Sequence, residues 1–329
     1  MNKMKAILLK DFGGPENLFY AETEKPEPGS NQILIRTKAA AVNKPDVMQR
    51  MGQYPAPKGE SDILGLEVAG VVEQVGDSVS SFKPGDKVMA LVAGGGYAEF
   101  TTAYEGHVMP IPESMDFHQA ACVCETYITA YLNLFLLGGL SNNQSVLLHG
   151  GGGGVNSAAI QLCRNLISNC RIFVTASPGK VQRVKDLGAN HVINYHTQLF
   201  ADEIKSKTEN RGVDVVLDHI GGPYLESNMK SLAVGGTLMQ IGVSEGTKAQ
   251  INLALMMVKR QRVIGSVLRS RSIDEKAGII RKFSEVVLPK FADRSIVPLI
   301  SDLFPLAKAA QAHQTMESSQ HFGKIVLEL

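Results

Sequence analysis

The sequence predicts an α/β chain in two parts, a small antiparallel β-barrel followed by a doubly wound, parallel, six-stranded sheet. Short β-rich runs, cut by Gly and Pro clusters, fill the first hundred residues. Beyond Pro112, apolar strands alternate with amphipathic helical stretches, the pattern of a parallel sheet covered by helices. Between the first of those strands and the next helical pattern stand five glycines, at 150–154.

The barrel rests on the runs KAILLK, NLFYAET, QILIRTKAAAV, GLEVAGVVEQVG, DKVMALV and YAEFTT, with breaks at Gly13-Gly14-Pro15, at 26–29 and at Lys83-Pro84-Gly85-Asp86. Such punctuation is expected of antiparallel strands joined by turns. A helical pattern then spans 116–137 and leads into a strand at 145–149 and a helix at 155–167. Further strands read at 172–175, 191–194, 214–218, 236–241 and 262–268. Helices near 274–288 and 306–317 follow, and a last strand at 324–328 is expected to return to the first part. No internal repeat or low-complexity linker interrupts the chain. We expect a catalytic domain from 1–125 and 271–329, a nucleotide domain from 126–270, and a cleft between two lobes, in keeping with 329 residues.

Composition narrows the function classes. A hydrophobic share of 44% and a charged share of 20% are those of a globular protein. The net charge of +1, with no long block of like charge, predicts no nucleic-acid or membrane-surface partner. The opening MNKMKAILLKDF has too short an apolar stretch for a secretory signal, and the apolar window 122–140 is interrupted by Glu125 and Asn133. Cytoplasmic residence is therefore expected. Cys122, Cys124, Cys163 and Cys170 form neither a disulfide framework nor a paired metal motif, so they read as reduced core thiols.

The run S-V-L-L-H-G-G-G-G-G-V-N-S-A-A-I-Q-L gives strand, glycine turn and helix in the order of a dinucleotide site. Glycines allow a tight turn and bring backbone N–H groups close to a pyrophosphate, while the helix N-terminus adds about half a positive charge. We assign Gly151, Gly153, Gly154, Val155 and Asn156 to cofactor binding. In the G-x-G-x-x-G spacing, Asn156 takes the third glycine's place, where close helix–strand packing leaves little room. Replacing Asn156 with glycine is accordingly expected to tighten cofactor binding. The next strand and its loop, from Arg171 through Lys185, contain no Asp or Glu. An acid there would favour NAD and repel a 2′-phosphate, whereas Ser177 and Lys180 can donate to one. The expected cofactor is NADPH. Gly242 and Val243 follow the fifth strand, where parallel sheets present ligand loops. His149 and His219 end strands and are read as structural.

Together with N-K-P-D near 45, I-L-G-L-E near 65 and G-D-K-V near 87, this order resembles the medium-chain dehydrogenase/reductase superfamily. Its fold would be a GroES-like barrel with a Rossmann domain. The tracts G-G-P-E-N-L, D-V-M-Q-R-M-G-Q-Y, G-G-G-Y-A-E, L-R-S-R and G-K-I-V-L-E-L resemble its NADPH:quinone oxidoreductases, especially the p53-inducible type. The positions matching the catalytic zinc ligands of other members are Asn43, Leu66 and Glu125; leucine offers no donor and an amide is a poor ligand, so a zinc-free enzyme is expected.

Without a Lewis acid, alcohol oxidation is disfavoured, and the resemblance implies hydride or electron transfer from NADPH to a quinone. Two alternatives stand beside it: reduction of the C=C bond of enals, enones or enoyl thioesters, and a weakly active NADPH-binding protein. Tyr54 is the expected catalytic contact, through its phenol and planar ring. Asn43 would orient substrate or ribose, and Asp46 would anchor its loop. The resemblance further places Thr129 at the nicotinamide, Tyr195 at the 2′-phosphate and Leu268 in the cofactor channel. Arg269 and Arg271 are either channel residues or surface charges. The family often has proline where Cys124 stands. The exposed edge of the 262–268 strand and the habit of relatives imply a homodimer.

Overall fold

The protein is represented by a computed structural model that describes residues 3–329. It divides into two compact units: one runs to Ile128 and resumes at Leu268, and the other is Thr129–Val267.

In the first unit the long strand Gln32–Val42 is the organising element. It pairs antiparallel with Glu67–Val75, with Phe100–Tyr104 and with the last strand, Lys324–Glu328. Lys87–Leu91 and Val108–Pro110 extend the sheet on one side, and Ile300–Pro305 lies parallel to Lys324–Glu328 on the other. A separate hairpin joins Lys3–Leu9 to Leu18–Glu24. Alternate residues of these strands, Ile33, Ile35, Val68, Val72, Val88, Ala90, Ile325 and Leu327, fill one core. Each large aliphatic side chain so buried contributes about 1.5–3 kcal/mol. Two strands pass so closely at Gly70 that a Cβ there would lie 2.2 Å from the Arg36 carbonyl oxygen.

The helix expected over 116–137 is not continuous. Asp116 caps a short helix, Phe117–Ala120; a turn follows, then Thr126–Tyr131, and the last stretch, Leu132–Leu137, is π-helical. Side chains that bond back to the preceding turn explain the breaks: Thr126 Oγ1 donates to the Cys122 carbonyl at 2.8 Å, and Asn133 Nδ2 to the Thr129 carbonyl at 2.8 Å. The helix near 274–288 extends to Ile273–Ala292, starting at a Ser272–Glu275 capping box.

The second unit is a six-stranded, all-parallel sheet. Its spatial order is His191–Asn194, Arg171–Ala176, Ser145–His149, Val213–Asp218, Leu232–Gln240 and Arg262–Gly265. Every residue of Ser145–His149 is buried, as suits a central strand covered on both faces. Helix Gly154–Leu166 lays Ala158, Ala159, Leu162 and Cys163 in the interior. The strand order reverses between Ser145–His149 and Val213–Asp218, and sheets of this kind bind ligands beyond the strand ends at such a switch point. The sixth strand stops at Gly265 rather than 268. All four cysteines are buried and free. Among the described residues no helix is long and apolar enough to cross a membrane.

Candidate functional site

In the second unit the first strand turns sharply at Gly150, whose φ of 77° is readily adopted only by glycine. Its N–H and that of Gly151 donate to the Thr175 carbonyl at 3.0 and 2.9 Å, and Gly153 N donates to the Gly150 carbonyl at 3.0 Å. Gly153 then caps the 13-residue helix with no side-chain partner, so the first-turn amides of Gly154, Val155 and Asn156 form an uncapped N-terminus. A Cβ on Gly151 would strike Val174 and Val184, and one on Gly152 would lie 2.4 Å from Lys180 Cδ. The turn is a close cradle that favours glycine at Gly150 and Gly151, with a lysine stem laid along Gly152. It fits a pyrophosphate.

Asn156 departs from the steric expectation. The side chain is buried and finds room by turning back toward the strand, where Nδ2 donates to the His149 carbonyl and, at 3.3 Å, to that of Gly150. It braces the turn by these two bonds, which differs from the expected clash.

Ser177 ends the second strand and precedes the short turn Pro178–Lys180, and Lys180 N donates to its carbonyl at 2.9 Å. Tyr195 N donates to the Ala176 carbonyl at 3.4 Å, which brings Tyr195, 42% exposed, beside that strand end. Ser177, Lys180 and Tyr195 thus share one corner with the glycine turn. Burial, and then Arg183, lower the Lys180 pKa. On the other flank His219 lies over Gly150, its Cε1 only 2.8 Å from where a Cβ would sit, and it packs on Gly242 as well. Val243 is 41% exposed beside it. Thr129, half-buried, lies in the Thr126–Tyr131 helix, where its carbonyl accepts from Asn133 Nδ2.

The first unit holds a buried charged cluster. Lys324 Nζ lies 2.9 Å from Glu67 Oε1, 2.5 Å from Asn43 Oδ1 and 3.0 Å from the Val42 carbonyl. Asn43 Nδ2 donates to Glu67 Oε1 at 3.0 Å and to the Ala41 carbonyl at 3.2 Å. Both amide hydrogens of Asn43 are therefore spent inside the protein, and the expected substrate-orienting donor becomes a brace for Glu67. Asp46 accepts from Asn43 N, Gly65 N and Tyr97 Oη, which makes it the loop anchor expected. Burial outweighs those bonds and raises its pKa to about 6. Tyr97 continues to His313, which meets Arg50, and Arg50 forms a two-pronged pair with Glu317 at 2.7 and 3.1 Å. Glu125 N donates to Glu67 Oε2 at 2.8 Å. Desolvation, with Glu67 and Asp46 nearby, raises the Glu125 carboxyl to about 8, so it is mostly neutral at pH 7.

Tyr54 sits in the loop that follows helix Lys44–Arg50, with its ring 5.2 Å from the Arg269 guanidinium. Arg269 donates to Ala93 O, Gln49 Oε1 and Tyr54 O. It is thus a buried tether, not a surface charge, while Arg271 pairs with Glu275 at 3.5 Å. Burial, then Glu125, raise the Tyr54 pKa, keeping the phenol protonated as a donor. Leu268 is buried next to Arg269. Sequence reasoning missed Lys324, Thr175, Asn228 and Asp218; the one available signal was the charge of Lys324 directly before the apolar run Ile325–Leu327.

A family model described as alcohol dehydrogenase GroES-like domain matches residues 29–113, and one described as zinc-binding dehydrogenase matches 187–327. The quinone oxidoreductase of Rattus norvegicus is 34% identical over 330 residues, covering 99% of this chain and 98% of the relative. A mycobacterial protein solved with NADPH superposes with a TM-score of 0.88 at 28% identity, over 99% of this chain and 100% of that one. The CurK enoyl reductase superposes at 0.87 with 28% identity, over 100% and 99%.

Zinc does not fit the donors present. Leu66 is buried and apolar, Asn43 Oδ1 is held by the Lys324 ammonium, and Glu67 pairs with the same ammonium. Among the described residues no three His, Cys, Asp or Glu side chains are grouped to hold a metal ion.

Proposed function

The chain belongs to the medium-chain dehydrogenase/reductase family, and on that premise we propose that this oxidoreductase is a zinc-independent, cytosolic NADPH:quinone oxidoreductase. The observation that carries the cofactor half is Lys180 lying along Gly152 at a strand end free of acids. A cation beside the glycine turn favours a phosphorylated ribose over a bare one. Ser177 and Tyr195 complete that corner. NADPH, when bound, supplies a hydride from its nicotinamide.

The chain's own residues bind and orient. The uncapped first-turn amides of Gly154, Val155 and Asn156 take the pyrophosphate, while the N–H groups of Gly150, Gly151 and Gly153 hold the turn itself in shape. Tyr54, kept protonated by burial and held against Arg269, donates to the acceptor oxygen as negative charge develops there. With a lysine ammonium in place of metal chemistry at Glu67, an alcohol is a poor substrate, whereas a quinone accepts hydride once it is positioned.

The acceptor is tested by initial rates of NADPH oxidation with naphthoquinones against alkenals and enones. Faster turnover of quinones is expected. Turnover of alkenals alone would establish the second reading, C=C reduction, which the likeness to an enoyl reductase supports. Tight NADPH binding without oxidation by any acceptor would point to a weakly active binding protein; the bracing role of Asn156 removes the feature that favoured it.

We further propose a homodimer through the sheet edge Arg262–Gly265. Val263 is partly exposed there, and the preceding helix, Leu253–Val258, exposes Met257 and Val258 at 73% each. An unpaired edge flanked by apolar side chains is covered most simply by a second copy. Light scattering that gives a monomer at micromolar concentration would refute this.

A further inference from the structure

A chain of hydrogen bonds runs beneath the glycine turn, wholly within the second unit. Asn228 Nδ2 donates to Asp218 Oδ2 at 3.0 Å, and Asn228 Oδ1 lies 2.7 Å from His149 Nε2. His149 Nδ1 lies 3.1 Å from Thr175 Oγ1, which also accepts from Gly150 N at 3.1 Å. All four side chains are buried.

The direction of every proton in this chain follows from its end. An ionised carboxylate only accepts, so Asn228 turns its nitrogen to Asp218 and its oxygen to His149. That oxygen also only accepts, which places the imidazole proton on Nε2. Nδ1 is then an acceptor, the Thr175 hydroxyl donates to it, and a lone pair of Oγ1 is left for the Gly150 amide. Burial depresses the His149 pKa to about 4, and the rings of Phe200 and Tyr224 stand edge-on to it, each 4.8 Å away. The imidazole is neutral and fixed in one tautomer.

The carboxylate end governs another loop. Asp218 also accepts from Ile220 N at 2.6 Å, and the carbonyls of His219 and Ile220 accept from Ser244 N and Glu245 N. The loops after the fourth and fifth strands are thereby knitted together and reach the glycine turn through His149. Asn156 pins the same turn from its carbonyl side.

We infer that Asp218, Asn228, His149 and Thr175 are positioning residues that lock the glycine turn to the loop after the fourth strand, giving a dinucleotide one preassembled frame. This rests on the nucleotide-binding reading above. Neither His149 nor Thr175 need touch the cofactor. Their effect should therefore appear with the whole dinucleotide and not with a fragment that engages only the Ser177–Lys180 corner.

The test compares wild type, Thr175→Val and Thr175→Ser by titration with NADPH and with adenosine 2′-monophosphate, alongside nitrogen-15 NMR of the wild-type imidazoles. Valine keeps the shape and removes the hydroxyl. Its NADPH dissociation constant should rise about tenfold, as for loss of one buried hydrogen bond. Adenosine 2′-monophosphate affinity should stay within twofold, serine should restore NADPH binding, and His149 should carry its proton on Nε2, uncharged at pH 6. An unchanged NADPH constant, an equal loss for both nucleotides, or a protonated or Nδ1–H imidazole would overturn the inference. The NMR result decides it even if the valine variant does not fold. A wild-type chain that binds neither nucleotide would instead overturn the dinucleotide reading, and the inference with it.

Discussion

Lys324 places its ammonium 2.9 Å from Glu67 Oε1 with both side chains buried, the lysine coming from the last strand and the glutamate from the strand that pairs with Gln32–Val42. Removing one partner of a buried ion pair strands the other charge, at about 3–5 kcal/mol. Lys324→Met should lower unfolding stability in urea by that order. Lys324→Met combined with Glu67→Gln should recover part of the loss; a double variant as unstable as the single one would mean that the pair is not coupled.

Lys180→Ala should weaken NADPH binding roughly tenfold or more, the worth of a charge-assisted bond, while changing NADH binding less than threefold. Fluorescence titration of both nucleotides reads this directly. Equal weakening would assign Lys180 to the pyrophosphate instead of the 2′-phosphate.

Tyr54→Phe keeps the ring over Arg269 and removes the hydroxyl. Quinone turnover should fall on the order of tenfold or more, as when a transition-state donor is lost, with NADPH affinity unchanged. Steady-state rates at saturating NADPH provide the check, and wild-type turnover would remove Tyr54 from the site.

Asn156→Gly frees the His149 and Gly150 carbonyls and puts a flexible residue in the first helical turn. The NADPH dissociation constant should rise about tenfold. A tighter complex would mean that the side chain crowds the helix against the strand after all.

Glu125 provides a pH dependence whose sign is fixed. Its native pKa of about 8 exceeds the ordinary 4.5, so the folded protein holds a proton that the unfolded chain releases. Stability from this group is full below pH 4.5 and is lost as pH rises toward 8. Glu125→Gln should therefore melt at a higher temperature than wild type at pH 8.5 and at nearly the same temperature at pH 4.5. Parallel melting curves at both values would contradict the raised carboxyl.

Periodicity carried most of the architecture. The fully apolar Ser145–His149 strand, the glycines after it and the alternation that follows leave few topologies open, and all six strands of the parallel sheet stand within a few residues of their expected places. The long helix failed because helical spacing persists through 121–125, while the breaks depend on Thr126 and Asn133 bonding back to carbonyls, which periodicity does not register. The volume of Asn156 predicts crowding, whereas its effect depends on the two carbonyls it reaches. Lys324 meets Asn43 across 281 positions of chain, and His149 meets Asn228 across 79; no local pattern announces such pairs.

The split of the first unit around Thr129–Val267 also bears on synthesis. The nucleotide-binding sheet is one uninterrupted stretch and can close as soon as it leaves the ribosome. The strand Gln32–Val42, by contrast, waits with its edge open until Lys324–Glu328 arrives. At about 5–20 residues per second that wait lasts roughly 15–60 s. During it, the half that holds Asn43 and Glu67 lacks the lysine that bonds the amide and neutralises the carboxylate, so a nascent chain stalled before that strand should expose an unfinished sheet to chaperones and proteases.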